Sequence, residues 1–157
     1  MFNVLFVCSG NICRSPTAEA VFRVRVADAG LAHAIATDSA GMGDWHAGEA
    51  PDRRSQAAAL RRGYDMAALC ARQVRPDDFD RFDLLLAMDR GHERGLRALA
   101  PDAHKAKVRM FLHDLDGAAA RDVPDPYHGG PQGFDDVLDL IEAGAEALLA
   151  AIRRDHL

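Results

Sequence analysis

The sequence is poor in cysteine, with three in 157 residues, and it has one tryptophan, two tyrosines and two lysines. Three thiols, an odd number, close no disulfide framework, so they are read as reduced cysteines, and the cytoplasm is the expected location. No apolar run approaches the roughly 20 residues of a membrane span. Residues 1–13 carry no basic side chain ahead of their short apolar run, so no signal peptide is expected. No long block of one charge occurs, and 19 basic against 24 acidic residues give a net charge of -5. That balance argues against nucleic acid and acidic membrane as main partners, since both need a basic surface. No paired Cys-x-x-Cys set occurs and the seven histidines show no ligand spacing, so neither a metal nor a cofactor is expected. Repeats, low-complexity tracts and long linkers are also absent, and residues 1–157 are read as one domain.

What is present is alternation. Residues 4–7 form a short apolar run, read as a buried strand. From Thr17, the apolar Ala18, Val21, Phe22, Val26 and Ala29 fall on one helical face, and Gly30 stops the helix. Residues 34–37 make a weaker strand, followed by a glycine-rich loop at 39–52. A second helix spans 51–62, ended by Gly63. Residues 84–88 read as a strand buried on both faces, 90–99 as a helix and 108–112 as a further strand. A proline-rich loop at 122–133 precedes a final helix marked by Val137, Leu140, Ile141, Gly144, Leu148 and Ile152. This order predicts an α/β fold, a four-stranded parallel sheet flanked by helices on both faces, in a Rossmann-like or flavodoxin-like three-layer sandwich. Such sheets bind ligands beyond the carboxyl ends of their strands, and Cys8, Ser39 and Asp89 each follow a predicted strand there.

The segment "VCSGNICRSP" therefore sits where a site belongs. Gly10 accepts positive φ freely, and Asn11 tolerates it better than most residues. A loop with such turns can aim the backbone N–H groups of Ser9, Gly10, Asn11, Ile12, Cys13 and Arg14 at one anion. Pro16 suits the first turn of the following helix, whose N-terminus adds its own positive end. Arg14 can grip two phosphate oxygens with its planar fork. The same field favours a thiolate at Cys8, placed for in-line attack, and Ser15 can donate to its sulfur. The nucleotide patterns GxxxxGK[ST] and GxGxxG are absent. An aryl phosphate also needs a proton for its leaving oxygen, and Asp125 in "DPY" is the candidate acid, with Tyr127 as an aromatic wall. Taken singly, Cys8 could be an inert buried thiol and "DPY" a plain turn.

Together these segments resemble the low-molecular-weight protein tyrosine phosphatases. "DSAGMGDWHAGEAPD" (38–52) and "ARQVRPDDFDRFDLLLAMD" (71–89) strengthen a resemblance that spans most of the chain. It implies Cys8 as the nucleophile of a phosphocysteine intermediate, and Arg14 with the backbone of 9–14 as the phosphate site. It implies Ser15 as the thiolate's support, and Asn11 as the holder of the strained loop, helped by Ser39. Asp125 would be general acid and then base. Ile12, Trp45, Tyr127 and His128 would line a slot deep enough for phosphotyrosine and too deep for phosphoserine. Cys13 would be a redox partner able to trap an oxidised Cys8. The implied partner is a phosphotyrosine-containing protein; a bacterial tyrosine kinase, a capsule-export regulator or a host protein all fit.

Two departures stand out. Leu69 replaces a histidine that supports the loop asparagine in many relatives, so Asn11 needs another partner, and Cys70 beside it is expected to be a buried structural thiol. His128 replaces a second tyrosine. Three alternatives share these features. A thiol-dependent arsenate reductase uses later cysteines, and none follows Cys70. A phosphoarginine phosphatase carries a small threonine where this chain has Ile12. A non-catalytic phosphoprotein-binding module would have lost Cys8 or Asp125.

Overall fold

In the computed structural model, residues 1–115 and 121–157 are described. Four strands form one parallel sheet: β1 (Phe2–Cys8), β2 (Ile35–Gly41), β3 (Leu84–Ala87) and β4 (Val108–Met110), in the spatial order β2-β1-β3-β4. The helices are α1 (Arg14–Asp28), α2 (Arg53–Arg61), α3 (Asp78–Arg81), α4 (Arg90–Leu99) and α5 (Pro131–His156). The strand period of two splits the central strands between two cores. Val4, Phe6, Cys8, Leu84 and Leu86 face α1, α2 and α5, whereas Leu5, Val7, Leu85 and Ala87 join Phe79 of α3 and Leu96 of α4. The expected three-layer α/β sandwich is what the chain forms. Phe6 anchors the larger core, edge-on to Phe22 at 5.6 Å and to Phe111 at 5.5 Å. Full burial of each such ring is worth about 1.5–3 kcal/mol.

Four boundaries differ from the sequence reading, each for a tertiary reason. β2 continues through Ser39, Ala40 and Gly41, which pair with Phe6, Val7 and Cys8, so Ser39 lies inside a strand and not in a loop after it. Turn-forming residues stay extended there because β1 pairs with all three and the next segment pairs with Gly41; Gly41 N–H donates to Arg72 O at 2.8 Å and Val74 N–H to Gly41 O at 2.9 Å. β4 stops at Met110, and Phe111–Asp114 turn into a 3-10 helix. That turn sends both Phe111 and Leu112 into the same core, which an extended chain would separate. α5 begins at Pro131, inside the segment read as loop, because proline costs nothing in a first turn and Phe134 is buried there. α2 begins at Arg53, after Asp52 accepts from the N–H groups of Arg54 (2.8 Å) and Ser55 (3.2 Å). Cys70, expected to be buried, is exposed: its neighbour Leu69 takes the place against the core.

The segment that closes the β2 edge is held by ions. Arg72 donates to both oxygens of the fully buried Asp78, at 2.9 and 3.1 Å, and to Asp38 at 3.1 Å. Asp78 also accepts from Arg75 N–H at 2.7 Å. Removing one partner of such a pair strands the other charge. Asp78→Ala is therefore expected to cost about 3 kcal/mol, read as a lower urea midpoint with an unchanged slope.

Candidate active site

The site begins at the carboxyl end of β1. Cys8 ends the strand, and residues 9–13 loop over to the N-terminus of α1 at Arg14. Asn11 carries a φ of 59°, the one positive φ at a non-glycine position among the described residues. Its buried amide donates to Ser15 Oγ (2.8 Å) and Ser39 Oγ (2.9 Å), and its Oδ1 accepts from Arg72 N–H (3.0 Å). So the partner that Leu69 does not provide is a backbone N–H, fixed in place by the Arg72 ion pairs. Ser39 in turn donates to Glu19 Oε1 at 2.7 Å. Burial pushes the Glu19 carboxyl up, opposed by that hydroxyl and by Arg23.

The loop's carbonyls are turned outward and used. Ser9 O accepts from Gly43 N–H (3.0 Å), Ile12 O from Asp52 N–H (2.8 Å), and Cys13 O from the Thr17 hydroxyl (2.6 Å). Among the described residues the N–H groups of Ser9–Cys13 donate to nothing, which leaves them for an anion. Gly41 has to be glycine for this packing: a Cβ there would stand 2.9 Å from Gly10 C and Ser9 O and 3.0 Å from Asn11 N. At Gly10 a Cβ would meet only the half-exposed His46 ring, at 2.8 Å, a side chain that can turn aside.

Ser15 Oγ lies 3.0 Å from Cys8 Sγ and 3.3 Å from Ala40 O. Because Asn11 donates to this hydroxyl, its one proton points to its two acceptors, the nearer Cys8 sulfur and Ala40 O. Arg14 is buried and held at one end: Nη1 donates to Asp89 Oδ2 (2.9 Å) and Val123 O (3.0 Å). Nη2 lies 3.5 Å from both Ser9 Oγ and Asp125 Oδ2. Asp89 caps α4, accepting from His92 N–H at 2.9 Å. Burial opposes its ionisation, but the bond from His92 and the Arg14 guanidinium outweigh it and hold the carboxyl below the usual range. Burial lowers the proton affinity of His92, which Arg14 reinforces and Asp89 opposes.

Over this floor opens a cavity of about 140 Å³. Cys8, Gly10 and Arg14 form its base, Ile12, Trp45 and Tyr127 its walls, and His46 and Asp125 its mouth. Trp45 and Tyr127 are exposed at the rim. A concave anion cradle under aromatic walls, with a thiol at the base and a carboxyl at the mouth, is a shape for a phosphorylated ring. A model of the low molecular weight phosphotyrosine protein phosphatases matches residues 3–157. The chain belongs to that family. A low molecular weight protein-tyrosine-phosphatase of Streptomyces coelicolor is 52% identical over 97% of this chain and 94% of its own length. Among solved structures, YfkJ of Bacillus subtilis is 42% identical with a TM-score of 0.94, covering 100% of this chain and 98% of that one. A protein tyrosine phosphatase of Entamoeba histolytica, solved with Hepes in the active site, is 35% identical with a TM-score of 0.95 over the whole of both chains.

For this phosphatase, most site residues named from sequence come together. Ser9, Ile12 and Cys13 line the cavity with Cys8, Gly10, Arg14, Trp45, Asp125 and Tyr127, whereas Asn11, Ser15 and Ser39 lie beneath it. His128 does not line it. The chain turns after Pro126, with Gly129 N–H on Pro126 O at 3.1 Å, and His128 packs edge-on against Tyr127 at 4.9 Å. Sequence reasoning missed His46, His92 and the Val123 carbonyl. Asp89 stood at a strand end, and a histidine three residues on is the position an N-cap carboxylate reaches.

Two predictions come from this packing. Gly41→Ala is expected to displace the loop and weaken inhibition by inorganic phosphate at least about tenfold, since the atoms it would strike are backbone. Burial pushes the Cys13 thiol up to about 12, against a lowering by Ser55. At pH 7 on the order of one Cys13 in 10⁵ is then a thiolate. Iodoacetamide followed by peptide mapping is expected to label Cys70 in the native chain and Cys13 only after unfolding.

Proposed function

We propose that this protein-tyrosine phosphatase hydrolyses phosphotyrosine through a phosphocysteine intermediate on Cys8. The observation that carries the reading is the cradle of unpaired N–H groups and the Arg14 fork directly around the thiol at the cavity base. A phosphate dianion seated there puts phosphorus above Sγ. The Cys8 thiolate forms the P–S bond as the bond from phosphorus to the phenolic oxygen breaks. Protonated Asp125, at the mouth, gives its proton to that oxygen. In the second step Asp125 as carboxylate takes a proton from water, the water oxygen bonds phosphorus, and the P–S bond breaks to return the thiolate and release phosphate. Ser15 donates to the sulfur when it is attacking group and again when it is leaving group. Pooled charge on the equatorial oxygens is met by donors already in place, which is where most of the rate advantage of such a site comes from.

Trp45 and Tyr127 as walls suit a flat ring, and Ile12 narrows the slot where a smaller residue would admit a flexible phosphoguanidine. In this reading residues 1–157 act as one catalytic domain on phosphotyrosine proteins, with a bacterial tyrosine kinase as one candidate, in a reducing cytoplasm that keeps Cys8 active. Cys13, the cavity's second thiol, is the partner on which an oxidised Cys8 would close a reversible disulfide. No helix among the described residues is long and apolar enough to cross a membrane.

The test is hydrolysis of p-nitrophenyl phosphate with chelator and reductant present. Native chain is expected to turn over, Cys8→Ser to be inactive, and Asp125→Asn to lose about 10²-fold in kcat. Absent turnover by a folded, reduced native chain, or turnover that survives Cys8→Ser, overturns the mechanism.

A further inference from the structure

Four residues close a ring on the buried side of the phosphate loop, three links between side chains and the last through the backbone N–H of His92. Asp89 Oδ2 accepts from Arg14 Nη1 at 2.9 Å; Arg14 Nη2 reaches Ser9 Oγ at 3.5 Å; Ser9 Oγ meets His92 Nε2 at 2.8 Å; and His92 returns to Asp89 through its N–H at 2.9 Å. The His92 ring is buried at 6% exposure, and its Nδ1 stands 3.2 Å from Asp89 Oδ1, off the direction of a hydrogen bond. A buried imidazole that spends its one good ring contact on a loop hydroxyl is not explained by core packing.

Proton bookkeeping orients the ring. Arginine has no acceptor, so Ser9 Oγ can only accept from Nη2. The Asp89 carboxylate, 3.2 Å from Nδ1, favours the imidazole proton on that nitrogen, which leaves Nε2 to accept from the serine hydroxyl. Among the described residues Nη2 has two neighbours, Ser9 inside the loop and Asp125 at the mouth, both at 3.5 Å. Asp125 is half-exposed and carries the opposite charge, so it draws this arm of the fork away from the loop. Ser9, with its hydroxyl turned away by His92 so that its lone pairs face the guanidinium, is the contact that opposes the pull.

We propose that His92 is a positioning residue: through the Ser9 hydroxyl it holds Arg14 Nη2 in the phosphate loop against Asp125 whenever that carboxyl is ionised, in the free enzyme and in the second step. This rests on the phosphatase mechanism above. Nη1 keeps both its anchors whatever happens to His92, so the charge that binds a ground-state dianion stays. What is lost is the direction of the second arm, which matters most when charge spreads over the equatorial oxygens of the transition state.

Steady-state kinetics on p-nitrophenyl phosphate, with thermal melts of every variant, test it. His92→Ala is expected to lower kcat about tenfold with KM within twofold. His92→Gln, whose amide reaches the place of Nε2 and can accept from Ser9, is expected to restore kcat to within about threefold of native. Ser9→Ala, a partly exposed position that leaves the core untouched, is expected to match His92→Ala, and the double variant to be no slower than either, because both remove one bond. Native activity with His92→Ala and Ser9→Ala both within twofold of it overturns this proposal alone. So do losses that multiply in the double variant, or a His92→Gln no faster than His92→Ala. An inactive native chain overturns the underlying mechanism instead. If His92→Ala does not fold, Ser9→Ala and His92→Gln still decide.

Discussion

Everything in this molecule that bears on phosphate chemistry leans on one buried amide. Asn11 sits in the left-handed region, which costs a non-glycine residue on the order of 1 kcal/mol or more. Its side chain makes three hydrogen bonds, two of them fully buried, each worth about 1 kcal/mol net, and those bonds outweigh the strain. Without them the loop would relax, the N–H groups would lose their common focus, and the Cys8 thiol would face no anion. The partners come from three elements that meet only at the carboxyl edge of the sheet: Ser15 from α1, Ser39 from β2 and the Arg72 backbone from the strap along the β2 edge. The strap is itself set by the Arg72–Asp78 pair, so a buried ion pair far from any substrate contributes to the shape of the phosphate site.

A second constraint governs Arg14. A guanidinium proposed to bind a dianion has to be buried to be strong and yet free enough to follow the reaction. Here the two ends of its fork are treated differently. Nη1 is locked by a carboxylate and a carbonyl, while Nη2 is balanced between Ser9 and Asp125 at equal distance. The carboxyl that would supply the proton is thus in electrical contact with the cation that would bind the phosphate, and the arrival of substrate changes the surroundings of both. The walls are simpler in kind. Trp45 and Tyr127 stand exposed at the rim, offering apolar area that a substrate ring can cover.

Much of the fold was legible in sequence because it depends on period and punctuation. Apolar runs without alternation marked strands buried on both faces; Gly30 and Gly63, both at positive φ, marked helix ends. What failed were places where local preference and tertiary pairing disagree. Ser39, Ala40 and Gly41 look like a turn and form a strand, because β1 pairs with all three and the segment at 72–74 pairs with Gly41 from the other side. Cys70 looks like a core residue and is exposed, because Leu69 occupies the apolar side. His128 looks like a wall by its position after Tyr127, but the turn after Pro126 packs it against the Tyr127 ring and outside the cavity.

By itself the sequence determined which chemistry is available. A thiol at a strand end, a loop able to adopt positive φ, an arginine and serine opening a helix, and an acid beside a ring are facts of residue type and spacing. Only the tertiary structure decided who holds these groups and how firmly. The partner of Asn11, the ring from Asp89 through Arg14 and Ser9 to His92, and the His46 at the mouth join residues up to 83 positions apart. No local pattern reports such contacts. Hydrogen bonds and ion pairs depend on angstrom distances that packing sets, and packing is a property of the whole chain at once.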